Sequence, residues 1–187
     1  MRHKSFGNMQ CPVARGLERV GEWWSILIIR DALHGLKRFD EFQESLGIAT
    51  NMLARRLETL VQAGILARHR YSEHPPRYEY VLTERGGDFR PVFLALLAWG
   101  NKHFTPEGAS VLVADKQTGT VADPVVVDRA SGRELSENEY GFVAGPAANQ
   151  RTRRRMALVA QRAATIEEQA RPAPRRGRRR NQEVHHG

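Results

Sequence analysis

From Phe39 to Thr83 the chain runs helix, glycine turn, helix, strand, proline-bearing connector, strand, and few folds accept that order. Phe39, Phe42 and Leu46 recur at three- and four-residue spacing, so Asp40 to Leu46 reads as a helix of one and a half to two turns. Gly47 closes it as a left-handed C-cap. Thr50 is a good N-cap for a second helix that runs to about Ala63, with Leu53, Leu57, Leu60 and Val61 on one side and Gly64 as its stop. Strands are expected over Ile65 to Tyr71 and Tyr78 to Thr83. Between them lies Ser72-Glu73-His74-Pro75-Pro76-Arg77, a connector that two prolines keep out of any ladder. This is the order of a winged helix-turn-helix, an α+β and mainly helical fold with a two-stranded wing. Its first helix braces and its second enters the major groove.

The flanks agree. Pro12 suits the first turn of a helix that ends near Gly21, with Val13, Leu17 and Val20 at helical spacing. Trp23 to Leu33 is apolar on most sides and belongs in the centre of a core. His34-Gly35 ends it, and Leu36-Lys37-Arg38-Phe39 is short and β-like. Arg85 to Phe104 reads as one long amphipathic helix with Phe89, Val92, Phe93, Leu96, Leu97 and Trp99 on a wide apolar face. That face is broader than a strand pair can cover, which points to a homodimer interface at Phe93, Leu97 and Trp99.

A groove-reading helix needs an apolar inner face and polar outer residues. At about 100° per residue from Leu53, Asn51, Gln62 and Arg55 fall at roughly 160°, 180° and 200°, opposite the apolar stripe. Arginine, asparagine and glutamine pair bidentately with guanine or adenine edges. The helix N-terminus penetrates deepest, so Thr50, Asn51 and Arg55 are favoured. Arg56 lies nearer the core edge, where an ion pair with Glu58, Glu41 or Glu44 competes with a DNA contact. A solvated polar face is the plain alternative for all of them; their place between a glycine turn and a hairpin favours DNA. His74 and Arg77 in the connector are candidates for a phosphate or the minor groove, or are incidental charge on a hairpin tip.

Cys11-Pro12-Val13-Ala14-Arg15-Gly16-Leu17, Gly21 to Asp31, and Arg38-Phe39-Asp40-Glu41-Phe42 together resemble the HxlR-type winged-helix regulators. So do Leu53-Ala54-Arg55-Arg56-Leu57, Gly64-Ile65-Leu66, Pro75-Pro76-Arg77-Tyr78-Glu79-Tyr80 and Leu82-Thr83. The resemblance covers about residues 6–104 in unbroken order. It implies a transcription regulator, dimeric through its first and last domain helices, on a pseudo-palindromic operator in duplex DNA. The usual Gly-Lys-Trp of that family is Glu22-Trp23-Trp24 here, which removes a charge and keeps the core aromatic. Some relatives sense oxidants or electrophiles through a cysteine near Cys11. At a helix N-terminus beside Arg15, Cys11 would favour thiolate; as a small residue fixing the chain's entry into the helix it needs no reactivity.

The remainder is organised differently. Residues 1–104 form the DNA-binding and dimerisation domain. Residues 105–148 form a small β extension, from Val111-Leu112-Val113 and Val125-Val126-Val127 with turns at Gly119 and Ser131-Gly132. Residues 149–170 are a basic helix, and 171–187 an Arg-rich tail expected to be disordered. The extension resembles that of longer relatives, which often carry cysteine pairs absent here. The net charge of +8 favours a polyanionic partner. It is uneven: +4 over 1–104, −4 over 105–148 and +8 over 149–187. A basic tail of this kind also fits a non-specific nucleic-acid-binding or adaptor protein. One cysteine, scattered histidines and no glycine-rich phosphate loop point away from a metal, a cofactor and an enzyme. No apolar run is long enough for a membrane span, so the expected setting is cytoplasmic, with DNA, a second copy and a small-molecule effector as partners.

Overall fold

The computed structural model describes residues 5–6, 9–137 and 139–170. The chain divides into two compact units, 1–136 and 137–187. The first holds α1 (Pro12–Val20), α2 (Trp23–Leu33), α3 (Phe39–Leu46), α4 (Thr50–Gln62), β1 (Leu66–Ser72), β2 (Arg77–Leu82), α5 (Glu84–Gly87) and α6 (Arg90–His103). The second holds α7 (Gln150–Ala170); the Arg-rich tail lies outside the described residues.

The core forms where the apolar stripes of α2, α3 and α4 meet the start of the wing. Ile28, Ile29, Phe42, Leu53, Leu57 and Leu60 are fully buried there, and Leu66 almost so. α2 sits at the centre because it is apolar nearly all round. Trp24 packs on that core, whereas Trp23 is 84% exposed. Gly47 adopts the left-handed conformation at φ 59°, so the chain reverses after α3 and delivers Ile48, 4% exposed, into the core before α4 begins. The wing is an antiparallel pair with Leu66 opposite Leu82 and Arg70 opposite Tyr78, and a bulge between Arg70 and Ser72. The segment before α3 joins it as a partial third strand: Arg38 bridges Glu79, and the Tyr80 amide donates to the Lys37 carbonyl at 2.7 Å.

Three expectations are corrected. Thr50 is the first residue of α4 rather than its N-cap; extended Ala49 (φ −62°, ψ 137°) takes that place, and the Thr50 hydroxyl accepts from the Gln43 amide at 3.0 Å. The helix expected over Arg85 to Phe104 is two helices. Gly86-Gly87 is a weak helical pair, and Pro91 has no N–H for the Gly87 carbonyl, so the chain breaks at Asp88-Phe89. Gly86 is required at this joint, since a Cβ there would lie 2.2 Å from the Ile65 carbonyl oxygen. The extension, lastly, has no ladder of strands among the described residues, only bridges at Ala114–Val121 and Val127–Glu134.

Those bridges belong to two copies of one turn, thirteen residues apart in sequence: Asp115-Lys116-Gln117-Thr118-Gly119 and Asp128-Arg129-Ala130-Ser131-Gly132. In the first, the Asp115 carboxylate accepts from the Gln117 and Thr118 amides and the Thr118 hydroxyl. In the second, Asp128 accepts from the Ala130 and Ser131 amides and the Ser131 hydroxyl. Both glycines sit at φ 70°. Side-chain to backbone bonds thus supply what a sheet would otherwise provide.

Candidate nucleic-acid interface

The groove-facing candidate is α4, and it is fastened at both ends and along its inner face. At its N-terminus the Gln43–Thr50 bond ties it to α3. At its C-terminus Arg85 donates to the Ala63 carbonyl at 3.0 Å, placing a cation where unpaired helix carbonyls favour one. Thr83 completes that joint: its hydroxyl donates to the Gly64 carbonyl at 2.7 Å and accepts from the Gly86 amide. Leu53, Leu57 and Leu60 anchor the inner face.

With its inner face spent on the core, α4 presents Asn51 and Arg55 to solvent. Neither side chain makes a hydrogen bond or ion pair among the described residues. Thr50 is exposed too, with its hydroxyl engaged by Gln43. Arg56 behaves differently. Its side chain is 15% exposed and pairs with Glu22, the N-cap of α2, at 2.9 Å, and among the described residues its buried Nε has no hydrogen-bond partner. None of the three carboxylates anticipated for it is used.

In the wing, His74 and Arg77 are exposed. Arg70 folds back on the tip, bonding the carbonyls of Ser72 and Glu73 and the Glu73 carboxylate at 2.9 Å. Arg68 lies over the Tyr78 ring and Arg38 over the Tyr71 ring, at 4.7 and 4.8 Å. Arg38, Arg77, Tyr71 and Tyr78 line a groove of about 400 Å³ between the start of α3 and the wing. Helical phase alone does not single out Arg38, because it precedes the helix; its signal is a basic pair, Lys37-Arg38, immediately before a helix-turn-helix. The start of α3 is itself fixed by Glu41, whose carboxylate accepts the Lys37 and Arg38 amides. Those two N–H groups hold its pKa below the ordinary carboxylate value.

Of the residues expected at a dimer interface, Trp99 is 54% exposed and Leu97 half-buried, while Phe93 turns into the protomer, edge-on to His34. Val92 and Leu96 share the open face with Trp99, and Val13 and Leu17 are exposed on α1. Cys11 is half-buried at the N-cap of α1; Arg15 directs its Nε to the Met9 carbonyl. Among the described residues no group of His, Cys, Asp or Glu could hold a metal, and no helix is long and apolar enough to cross a membrane.

A family model for HxlR-like helix-turn-helix proteins matches residues 19–108. The chain is 37% identical over 135 residues to an uncharacterized HTH-type transcriptional regulator of Mycobacterium tuberculosis, Rv3095, covering 72% of this chain and 85% of that one. It is similar to the solved structure of a Pseudomonas aeruginosa transcription factor, PA1374, at 52% identity and a TM-score of 0.58, covering 78% of this chain and 99% of that one. It is also similar to the transcription factor PA1607, at 36% identity and a TM-score of 0.68, covering 76% and 100%. These matches reach beyond residue 108, so they take in part of the extension.

Proposed function

The chain belongs to the HxlR-like helix-turn-helix family of transcriptional regulators, and from that premise we propose that it is a repressor binding a pseudo-palindromic operator as a homodimer. The observation that carries this reading is the division of α4: Leu53, Leu57 and Leu60 are fully buried, while Asn51 and Arg55 are exposed on the opposite side, their side chains unpaired among the described residues. A helix rigidly seated on one face, with bidentate donors on the other, suits base reading in a major groove. Arg77, His74 and Arg38 beside it suit phosphate contacts that set register. Arg56 is bound into the fold by Glu22, so its role is to hold α4 against α2. The open apolar residues of α1 and α6 support the homodimer, and paired half-sites follow from two-fold symmetry.

The test is selection of bound fragments from genomic DNA, followed by binding to the selected site and to scrambled duplexes. An inverted repeat among the selected fragments is expected. Truncation after Ala170 removes six arginines and one glutamate. It should flatten the salt dependence, by about 0.9 in slope for each phosphate no longer neutralised, and leave the ratio of operator to random affinity nearly unchanged. If truncation abolished nearly all binding and selection returned no common sequence, the protein would be a non-specific nucleic-acid binder driven by its tail.

A further inference from the structure

We propose that the groove between α6 and the extension is an effector site, and that its ligand is a small amphipathic carboxylate. This rests on the reading of the chain as a regulator and supplies the site and chemical class of its signal.

The groove has a volume of about 610 Å³, within the range of small-molecule sites. Pro91 and Leu94 of α6 form one wall, and Pro124 and Val126 of the extension the other. Among the described residues the only charged ones lining it are Arg90 and Arg129. Among the described residues neither guanidinium has a hydrogen bond or ion pair, although the extension carries a net charge of −4. The nearest carboxylate along the chain from Arg129, that of Asp128, is committed to the donors of Ala130 and Ser131. An apolar trough with two uncompensated arginines and no acid complements a ligand with an apolar body and one carboxylate, which a guanidinium takes up bidentately.

The groove is also separate from the surfaces assigned above. On α6 it is lined by Arg90, Pro91, Leu94 and Ala95, and none of Val92, Phe93, Leu96, Leu97 and Trp99 lines it. The extension is pinned along α6, where the Asn101 amide donates to the Val111 carbonyl at 2.9 Å. The first turn of α6 follows the Asp88-Phe89 break, and immediately before that break lies α5, whose Arg85 holds the end of α4. A ligand wedged against Arg90 and Pro91 therefore acts one short joint away from the recognition helix.

The experiment is isothermal titration calorimetry of the full-length protein, without DNA, using decanoate and 4-phenylbutyrate beside the neutral decanol and 4-phenylbutanol. At least one acid should bind, and at least about tenfold more tightly than its alcohol. Arg129→Gln and Arg90→Gln should each abolish that preference, with circular dichroism unchanged. The bound acid should shift operator affinity by about tenfold in the wild type and not in Arg129→Gln, a size ordinary for coupled sites. No binding by either acid, equal binding of acid and alcohol, or unchanged acid binding in Arg129→Gln overturns the proposal. So does a loss of DNA affinity in Arg129→Gln without loss of acid binding, which would give the arginine to DNA. Failure of the regulator reading shows separately, as absence of an operator.

Discussion

The proposed recognition helix α4, bounded by Gly47 and Gly64, and the extension, punctuated by Gly119 and Gly132, are held in opposite ways. α4 is fixed by burial, with three leucines at zero exposure and fastenings to α2, α3 and α5. The extension buries almost nothing: Val125, Val126 and Val127 are each about half-exposed, and its order comes from two carboxylate-centred turns. A groove-reading element must keep its side chains at a fixed angle, which packing achieves at high density. A segment covering an effector groove gains from the reverse, because a wall held by a few exposed bonds can yield to a ligand at small cost.

The sharpest test of this contrast is to remove methylenes from each region. Leu57→Ala should destabilise the fold by about 2–5 kcal/mol, the range for a buried leucine replaced without collapse of the cavity. Val126→Ala, at a residue 56% exposed, should cost less than about 0.5 kcal/mol. Urea unfolding of both variants measures the difference. Equal losses would mean that the extension is part of the cooperative core.

Arg55→Ala comes next, with an expected loss of about 1–3 kcal/mol in operator binding and relaxed preference at one position per half-site. Stability should hardly change, since Arg55 is exposed and, among the described residues, no ion pair or side-chain hydrogen bond holds it. An equal weakening on operator and random duplexes would make Arg55 a phosphate contact.

The same contrast explains what was legible in the sequence. α4 could be placed by its leucine period and the glycines at either end, because burial on one face writes itself as spacing. The outward phase of Asn51 and Arg55 followed from it. The pairing of Arg56 with Glu22 could not be seen, since those residues lie far apart in sequence and meet only through the packing of α2 on α4. The break before α6 was hidden because apolar residues continue across it, from Phe89 to Phe93, and outweighed the Gly86-Gly87 and Pro91 signals. In the extension the valine runs suggest strands, but a strand needs a partner, and the described residues hold only single bridges, one at Ala114 just past the first run and one at Val127 in the second. The informative signal there was the repeated Asp-x-x-Thr/Ser-Gly, which belongs to turn chemistry rather than to strand propensity.

Gly119→Ala and Gly132→Ala address those turns directly. Each glycine sits at φ 70°, where an L side chain costs about 1–2 kcal/mol, and nothing crowds the added methyl, so the strain is purely conformational. Each substitution should raise amide hydrogen exchange in its own hairpin and leave exchange in α2 and α4 as in the wild type. Faster exchange in α4 as well would join the two regions into one cooperative unit.

The smallest effect, and the one most specific to the turns, is their response to acid. The Thr118 and Gln117 amides, then the Thr118 hydroxyl, hold Asp115 below its ordinary pKa of 3.8. The Ser131 hydroxyl does the same for Asp128, assisted by the Ala130 and Ser131 amides. A carboxylate whose pKa is lower in the folded state than in the unfolded one adds stability that is complete above the unfolded value, about 3.9. It is lost as the pH falls through the lower, folded value. Both turns should therefore be intact at neutral pH and loosen only in strong acid. The contribution is small because Asp115 is exposed and Asp128 only partly buried, and its loss should be local. Amide chemical shifts of Thr118, Gly119, Ser131 and Gly132, followed from neutrality to about pH 2, should titrate below 3.8. In Asp115→Asn the shifts of Thr118 and Gly119 should stop titrating while those of Ser131 and Gly132 continue, because each carboxylate serves its own turn. Midpoints at or above 3.8, or a Ser131 response that vanished in Asp115→Asn, would show that the carboxylates do not organise the turns independently.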